Sequence, residues 1–481
     1  MASRLDRGLA PGLAAVALSA LGWWFGSGLA PHWWLTWLAP LPVLLLATRV
    51  RRRWATLAAF AAYALGGLNQ WSYLHGYIGL PMSTIVPAVA GPGLMLALCV
   101  LLFRHLLTRG RPVAAALAVP ALWVTMEYIN TQLSPHGTFG SVAYTQMDAL
   151  AILQLAALTG LWGISFMLLL VPAALAVLAA PQVSRRGRMA VAAVSVLLLG
   201  ATLGFGSWRL QAPATARVRV GLVSLEKPIR PALHDADGQA LQARYVAAID
   251  RLAAAGAQIV VLPETVLATG EATLPAFADA AQHHGVIVDA GIDFTGNSRA
   301  ERNMAMAFVP GAAMPATYSK HHLIPVFEKQ YTPGSDYRLL DGTPRIGLAI
   351  CKDMDFHDIG RAYAMRDAQL LLMPAWDFSI DGWLHGRMAI MRGVESGFAI
   401  ARAARSGRLT LSDDRGRVVA EASSERHDAE LVGELPLRAT HTLYARWGDW
   451  FVWLGVAALA VVLVLAVIPR RNGRRVSAPL H

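Results

Sequence analysis

Apolar positions run on two scales along this chain. In the first 210 or so residues, and again near the carboxyl end, they form long blocks with few charges inside; between about 208 and 448 they shrink to short runs separated by amphipathic stretches. The long blocks fall at about 9 to 25, 33 to 49, 54 to 70, 83 to 103, 113 to 128, 151 to 180, 189 to 207 and 449 to 468. A bilayer core takes roughly 20 apolar residues as helix, so about eight membrane-spanning helices are expected. The first lacks a small-residue cleavage site and reads as a retained span, not a removed leader. No paired interruptions of the transporter kind are apparent.

The middle segment has the periods of a water-facing domain. Strands are expected at 217–224, 258–262, 286–294, 304–309, 346–351 and 369–373, and helices at 239–254, 275–283, about 357–366 and 383–396. That alternation suits one α/β domain. The expected division is 1–210 as a seven-span part, 211–440 as the α/β domain, and 441–481 as a last span with a basic tail.

Composition agrees with the long blocks: the 481 residues are 55% hydrophobic and only 15% charged, against about a quarter charged in ordinary soluble domains. A net charge of +11 would suit nucleic acid if it formed one patch. Instead the arginines sit in clusters between apolar blocks. Arg4 and Arg7 precede the first; Arg49 and Arg51 to Arg53 follow the second; Arg104, Arg109 and Arg111 the fourth; Arg185, Arg186 and Arg188 the sixth; Arg470, Arg471, Arg474 and Arg475 the last. The alternate loops carry no Lys or Arg. Cytoplasmic loops are the basic ones, so both termini are expected in the cytoplasm of a bacterial inner-membrane protein, with the α/β domain in the periplasm.

Two cysteines, Cys99 and Cys351, cannot build a disulfide framework. Cys351 closes the apolar run of Arg345-Ile-Gly-Leu-Ala-Ile-Cys-Lys-Asp353. A thiol at a strand's carboxyl end faces a cleft, with the next backbone N–H free for an oxyanion; the plain alternative is a small buried hydrophobe. Glu264 follows the strand at 258–262, and Lys320 lies beyond the strand at 304–309. A thiol needs a base, which a carboxylate with raised pKa supplies, and an ammonium group stabilises a tetrahedral oxyanion.

In order and spacing, Leu262-Pro-Glu-Thr265, Tyr318-Ser-Lys-His-His-Leu-Ile-Pro325 with Glu328, and Cys351-Lys-Asp353 resemble the Glu-Lys-Cys motifs of the nitrilase (carbon-nitrogen hydrolase) superfamily. With the spans, and with Gly140-Ser-Val-Ala-Tyr-Thr-Gln146 and Leu158-Thr-Gly-Leu-Trp-Gly-Ile-Ser-Phe166, the chain resembles a divergent member of the apolipoprotein N-acyltransferase family. That resemblance implies an α-β-β-α sandwich, with Glu264 as general base, Lys320 as oxyanion cation and Cys351 as nucleophile. Glu328, Lys352, Asp353 and Trp376 are supporting residues. It also implies acyl transfer from a phospholipid, through a cysteine thioester, to the amine of a diacylglyceryl-cysteine lipoprotein, without a cofactor and by a monomer. Lys352-Asp353 stands where the family usually has Tyr-Glu, and Met373-Pro-Ala-Trp-Asp-Phe378 where it has Asn-Asp-Ala-Trp-Phe. The alternatives are a membrane-tethered amidase or an N-acyltransferase with another amine acceptor and, from a different class, a non-catalytic lipid-binding scaffold or a transporter.

Other conspicuous residues have plainer readings. His283, His284, His321 and His322 lack partners at ligand spacing, so no metal is expected. Trp23, Trp24, Trp33, Trp34 and Trp37 read as an interfacial aromatic belt. Arg392, Glu395 and Arg402 read as structural ion pairs, and Glu127 as an intramembrane carboxylate with a candidate role.

Overall fold

The computed structural model describes residues 2–226, 228–296 and 301–469. The arginine cluster of the tail and the side chains of Arg4 and Arg7 lie outside the described residues.

All eight apolar blocks are helical, but not all are unbroken. Among the described residues, five helices are long and apolar enough to cross a membrane: Met82–Thr108, Pro112–Leu133, Leu161–Leu178, Arg185–Leu210 and Trp450–Val467. The second block is two short helices, Trp33–Thr36 and Leu41–Ala47, separated by a turn at Pro40. The sixth is stepped, Leu150–Leu153, Ala156–Thr159 and Leu161–Leu178, with Gly160 at φ +65°. Two of the eight blocks are therefore interrupted. Proline lacks the N–H that would continue the ladder, and left-handed backbone cannot be propagated.

The aromatic belt is corrected in part. Trp23 is fully buried, its ring 4.4 Å from Tyr63 and 6.5 Å from Trp123, because it lies on the packed face of its helix. Trp37 donates its indole N–H to Gln146 at 2.7 Å. Trp24, Trp33 and Trp34 remain exposed.

The α/β part begins with β1 (Ala216–Ser224), β2 (Ile259–Val261), β3 (Leu267–Thr269), β4 (Ile287–Phe294), β5 (Arg302–Phe308) and β6 (Ala316–Ser319). A second sheet holds β7 (Leu339–Leu340), β8 (Ile346–Leu348), β9 (Leu370–Trp376), β10 (Ala399–Arg405), β11 (Arg408–Ser412) and β12 (Val418–Ser423). The chain then returns as β13 (Ala429–Leu437), antiparallel beside β1, so the first sheet runs β13-β1-β2-β4-β5-β6 and the second β12-β11-β10-β9-β8-β7.

Strand alternation builds the layers. Val218, Val220 and Leu222 of β1 pack against Leu348, Leu370, Leu372 and Ala401 of the second sheet. The opposite faces hold helices: Val223, Val260 and Val288 meet Tyr245 and Phe277 of Ala236–Ala254 and Pro275–His284. Leu371 and Met373 meet Ile359 and Ala389 of His357–Ala364 and Gly382–Ser396. This is the expected α-β-β-α order. Helix Gly382–Ser396 is also the seam with the spanning helices, since Leu384, Met388, Ile390, Met391 and Val394 belong to their core.

Candidate active site

Four loops at the ends of β2, β6, β8 and β9 converge. Beyond β2 the chain turns through Pro263 to Glu264, whose N–H donates to Ala375 O at 3.3 Å. Gly291 of β4 lies beneath this turn: a Cβ there would stand 2.5 Å from both Glu264 Cα and Pro263 O, so only glycine lets the base loop settle on the strand. Lys320 follows β6 directly, and its N–H donates to Asn303 O at 2.8 Å.

These backbones bring one buried cation between two buried carboxylates. Lys320 Nζ donates to Glu264 Oε1 at 2.8 Å and to Glu328 Oε1 at 2.9 Å, with Lys320 wholly inaccessible. Asn303 of β5 donates through Nδ2 to the same two oxygens, at 2.5 and 2.8 Å. The second oxygen of Glu328 accepts the Ile324 N–H at 2.6 Å. Glu264 is bonded through Oε1, and among the described residues no hydrogen bond occupies its Oε2.

The environments push the two acids apart. Burial raises the Glu264 pKa, with Glu328 adding to it and Lys320 opposing. At Glu328 burial also pushes up, but Lys320 and the Ile324 N–H outweigh it and hold the group below its usual range. Burial alone would lower the Lys320 pKa; the two carboxylates reverse this and hold it well above the ordinary lysine value. Glu328 is thus held toward its charged form and Glu264 toward its protonated one.

Cys351 opens the tight turn Cys351–Asp355 just after β8, at φ +42°, so the expected strand stops short of it. Its Sγ lies 3.6 Å from Trp376 O. Burial and Glu264 push the thiol well above its usual pKa, against Lys320 and Arg402, and so favour its protonated form. Asp353 accepts the N–H groups of His321 at 3.1 Å, His322 at 2.9 Å and Ile350 at 3.0 Å, and the Tyr318 hydroxyl at 2.8 Å. It thereby ties the cysteine turn to the loop after Lys320. Lys352 pairs with Asp355 at 2.9 Å. The Trp376 ring lies under the Arg405 guanidinium at 4.5 Å, and Asp377 forms a buried two-point pair with Arg402.

The structure therefore brings together Glu264, Lys320, Glu328 and the backbone around Trp376 near Cys351. Lys352 and Asp353 buttress the turn. Glu127 lies elsewhere, buried in the spanning part and accepting the Val142 N–H at 3.3 Å. Arg392 pairs with Glu395 at 3.0 Å, and Glu395 accepts the Leu161 N–H at 2.9 Å, a structural tie across the seam. Asn303 escaped the sequence reading; its one signal is an amide inside an otherwise apolar strand.

Residues 220–445 match the family model described as carbon-nitrogen hydrolase. Residues 19–174 match the apolipoprotein N-acyltransferase N-terminal domain. Over most of its length the chain is similar to the apolipoprotein N-acyltransferase family. It is similar to the apolipoprotein N-acyltransferase of Geobacter metallireducens, 27% identical over 91% of each chain, and to that of Gloeobacter violaceus, 27% identical over 96% of each. Among solved structures, an amidase from Nesterenkonia sp. is 22% identical over 46% of this chain and 90% of its own, with a TM-score of 0.39.

Proposed function

We propose that this integral bacterial inner-membrane protein is an acyltransferase that matures lipoproteins, moving an acyl chain from phospholipid through a Cys351 thioester to the N-terminal amine of a diacylglyceryl-cysteine lipoprotein. The observation that carries the catalytic assignment is the inaccessible Lys320 ammonium, hydrogen-bonded to both Glu264 and Glu328 beside the Cys351 turn.

Glu264 Oε2 takes the thiol proton as sulfur attacks the ester carbonyl. The oxyanion is met by Lys320 and by the backbone N–H of Lys352. Collapse expels the lysophospholipid alkoxide, which recovers the proton from Glu264 and leaves the thioester. The lipoprotein amine then attacks the thioester and gives a proton to Glu264. The second intermediate expels the thiolate, which recovers that proton as the amide forms. Both half-reactions use the same donors.

For topology, the proposal is eight spans with both termini cytoplasmic and the domain at about 211–440 periplasmic. Three basic loops and the last helix share one end of the bundle, which supports it. Arg104 donates to Ala47 O, Arg109 to Val467 O and Arg111 to Ile468 O, and Gln182 to Thr48 O. Two of the loops without Lys or Arg meet the catalytic domain instead, through Thr138 to Asp355 O and Tyr73 to Asp381.

The test is to incubate the purified protein with a fluorescent phospholipid and a diacylglyceryl-cysteine lipopeptide bearing a free amine. Triacylated peptide and lysophospholipid are expected, and an N-acetylated lipopeptide should accept nothing. An acyl label on the protein without transfer would mean another amine acceptor; no label would refute the acyltransferase reading.

A further inference from the structure

The residue after the nucleophile begins a line of buried charges that no catalytic step above uses. Lys352 Nζ donates to Asp355 Oδ2 at 2.9 Å and lies 3.3 Å from His136 Nδ1. Asp355 Oδ1 is 3.9 Å from His385 Nδ1. His385 Nε2 is 3.2 Å from Asp381 Oδ2, which also accepts the Tyr73 hydroxyl at 2.8 Å. The other Asp381 oxygen accepts the Phe378 N–H at 2.8 Å. Lys352, Asp355, Asp381 and Tyr73 are all buried.

The line crosses between the two parts of the molecule. Lys352, Asp355, Asp381 and His385 belong to the catalytic domain; His136 and Tyr73 come from the loops beyond Pro112–Leu133 and Arg52–Gly67. Tyr73 sits in a single π-helical turn, Ser72–Tyr77, a local form that recurs at functional sites. The 134–141 loop also grips the nucleophile turn directly. Thr138 donates to Asp355 O through its N–H at 2.9 Å and its hydroxyl at 2.7 Å. Gly137, at φ +54°, approaches so closely that a Cβ would stand 2.5 Å from Asp355 O. Phe139 stacks on His385 with centroids 6.0 Å apart.

The charges on this line balance: Lys352 and a protonated His385 against Asp355 and Asp381. Asp381 and Asp355 outweigh the burial of His385 and raise its pKa to about 10, so it is cationic at neutral pH. Buried ion pairs are weak sources of stability, since desolvation offsets their attraction. They are strong sources of geometry, because each partner is fixed by the next.

We infer that Lys352, His385 and Tyr73 are positioning residues, through which the spanning part sets the Cys351–Asp355 turn and its oxyanion N–H. This inference rests on Cys351 being the nucleophile. Because the same turn serves both half-reactions, loosening it must slow thioester formation and thioester aminolysis together. A residue that only contacted the phospholipid or the lipoprotein would slow one of them, or change KM.

The experiment uses the full-length protein in detergent or nanodiscs, with a fluorescent phospholipid as donor and a diacylglyceryl-cysteine lipopeptide as acceptor. Tyr73→Phe, His385→Gln and Lys352→Met are each measured for single-turnover acylation, for aminolysis of the preformed thioester, and for phospholipid KM; Lys352→Arg is the rescue variant. Misplacing a catalytic group by about 1 Å costs on the order of 100-fold. A parallel fall of about that size in both rate constants is expected for His385→Gln and Lys352→Met, with KM unchanged and Lys352→Arg recovering most of the loss. Tyr73→Phe, which removes only one hydroxyl, should show a smaller parallel fall. Unchanged rate constants, with or without a lower melting temperature, would overturn the inference. So would a loss confined to KM or to one half-reaction. Retention of the acyl label in Cys351→Ala would instead overturn the nucleophile assignment on which the inference stands.

Discussion

Replacing Asn303 by Ala removes both side-chain N–H contacts to the carboxylate pair while leaving Lys320 in place. The lost bonds are 2.5 Å to Glu264 and 2.8 Å to Glu328. Hydrogen bonds to charged groups contribute about 1.5–3 kcal/mol each, and only the bond to Glu264 bears directly on the base. At about 1.4 kcal/mol per tenfold, acylation should fall by roughly 10- to 150-fold where Glu264 must be ionised to act. The sign follows from what holds Glu264 in balance: burial and Glu328 raise its pKa, and Lys320 and the Asn303 amide lower it. Without the amide it rises further, so the acid limb of the acylation rate moves to higher pH, and part of the loss is recovered in alkaline buffer. Asn303→Asp should be worse, because it sets a third acid around one ammonium. The assay is single-turnover labelling by fluorescent phospholipid across about pH 5 to 9, the span in which a tuned carboxylate titrates. An Asn303→Ala variant with the native rate and an unmoved acid limb would refute the account of how the base is tuned.

Three other perturbations read separate parts of the structure. Gly291→Ala should displace the base loop, because the new methyl would lie 2.5 Å from Glu264 Cα; single-turnover acylation should drop about 100-fold, with about 1–3 kcal/mol lost in denaturant unfolding. Asp377→Ala leaves the fully buried Arg402 without its partner and should cost about 3–5 kcal/mol, of which Arg402→Leu in the same chain restores a part; equal stability of all three proteins would contradict the pairing. His385 is faced by Asp381 and Asp355, with His136 and Lys352 beyond, and its pKa is raised from 6.5 to about 10. Its contribution to stability is therefore complete below about pH 6.5 and lost as pH rises toward 10. Melting temperatures of the native protein and His385→Gln should converge over that window, and a constant gap would contradict the assignment.

What could be read from the chain divides by the range of the interaction. The apolar blocks were legible because bilayer thickness imposes one length on each. The break at Pro40 and the step at Gly160 were not, since hydropathy averages over them. Trp23 looked like its exposed neighbour Trp24 because one residue of helix turns a side chain to another face, and only packing against Tyr63 and Trp123 reveals which. Glu264, Lys320 and Cys351 stood out because each follows an apolar strand. Asn303 did not, because its meaning lies in two carboxylates supplied by other loops. Strand β10 went unseen because Arg402 and Arg405 break its apolar pattern, and the acid that neutralises Arg402 arrives from the end of β9. Lys352 was conspicuous as a departure from the family, yet its partner His136 lies 216 residues away in the chain.

The most direct test of the central claim is the mass of the protein after mixing with phospholipid in the absence of acceptor. The account expects a single acyl chain on the peptide containing Cys351, released by hydroxylamine as a thioester must be, transferred on addition of the lipopeptide amine, absent from Cys351→Ala, and formed orders of magnitude more slowly in Glu264→Gln. An acyl chain that resists hydroxylamine, that appears on another residue, or that forms as fast without Glu264 would contradict it.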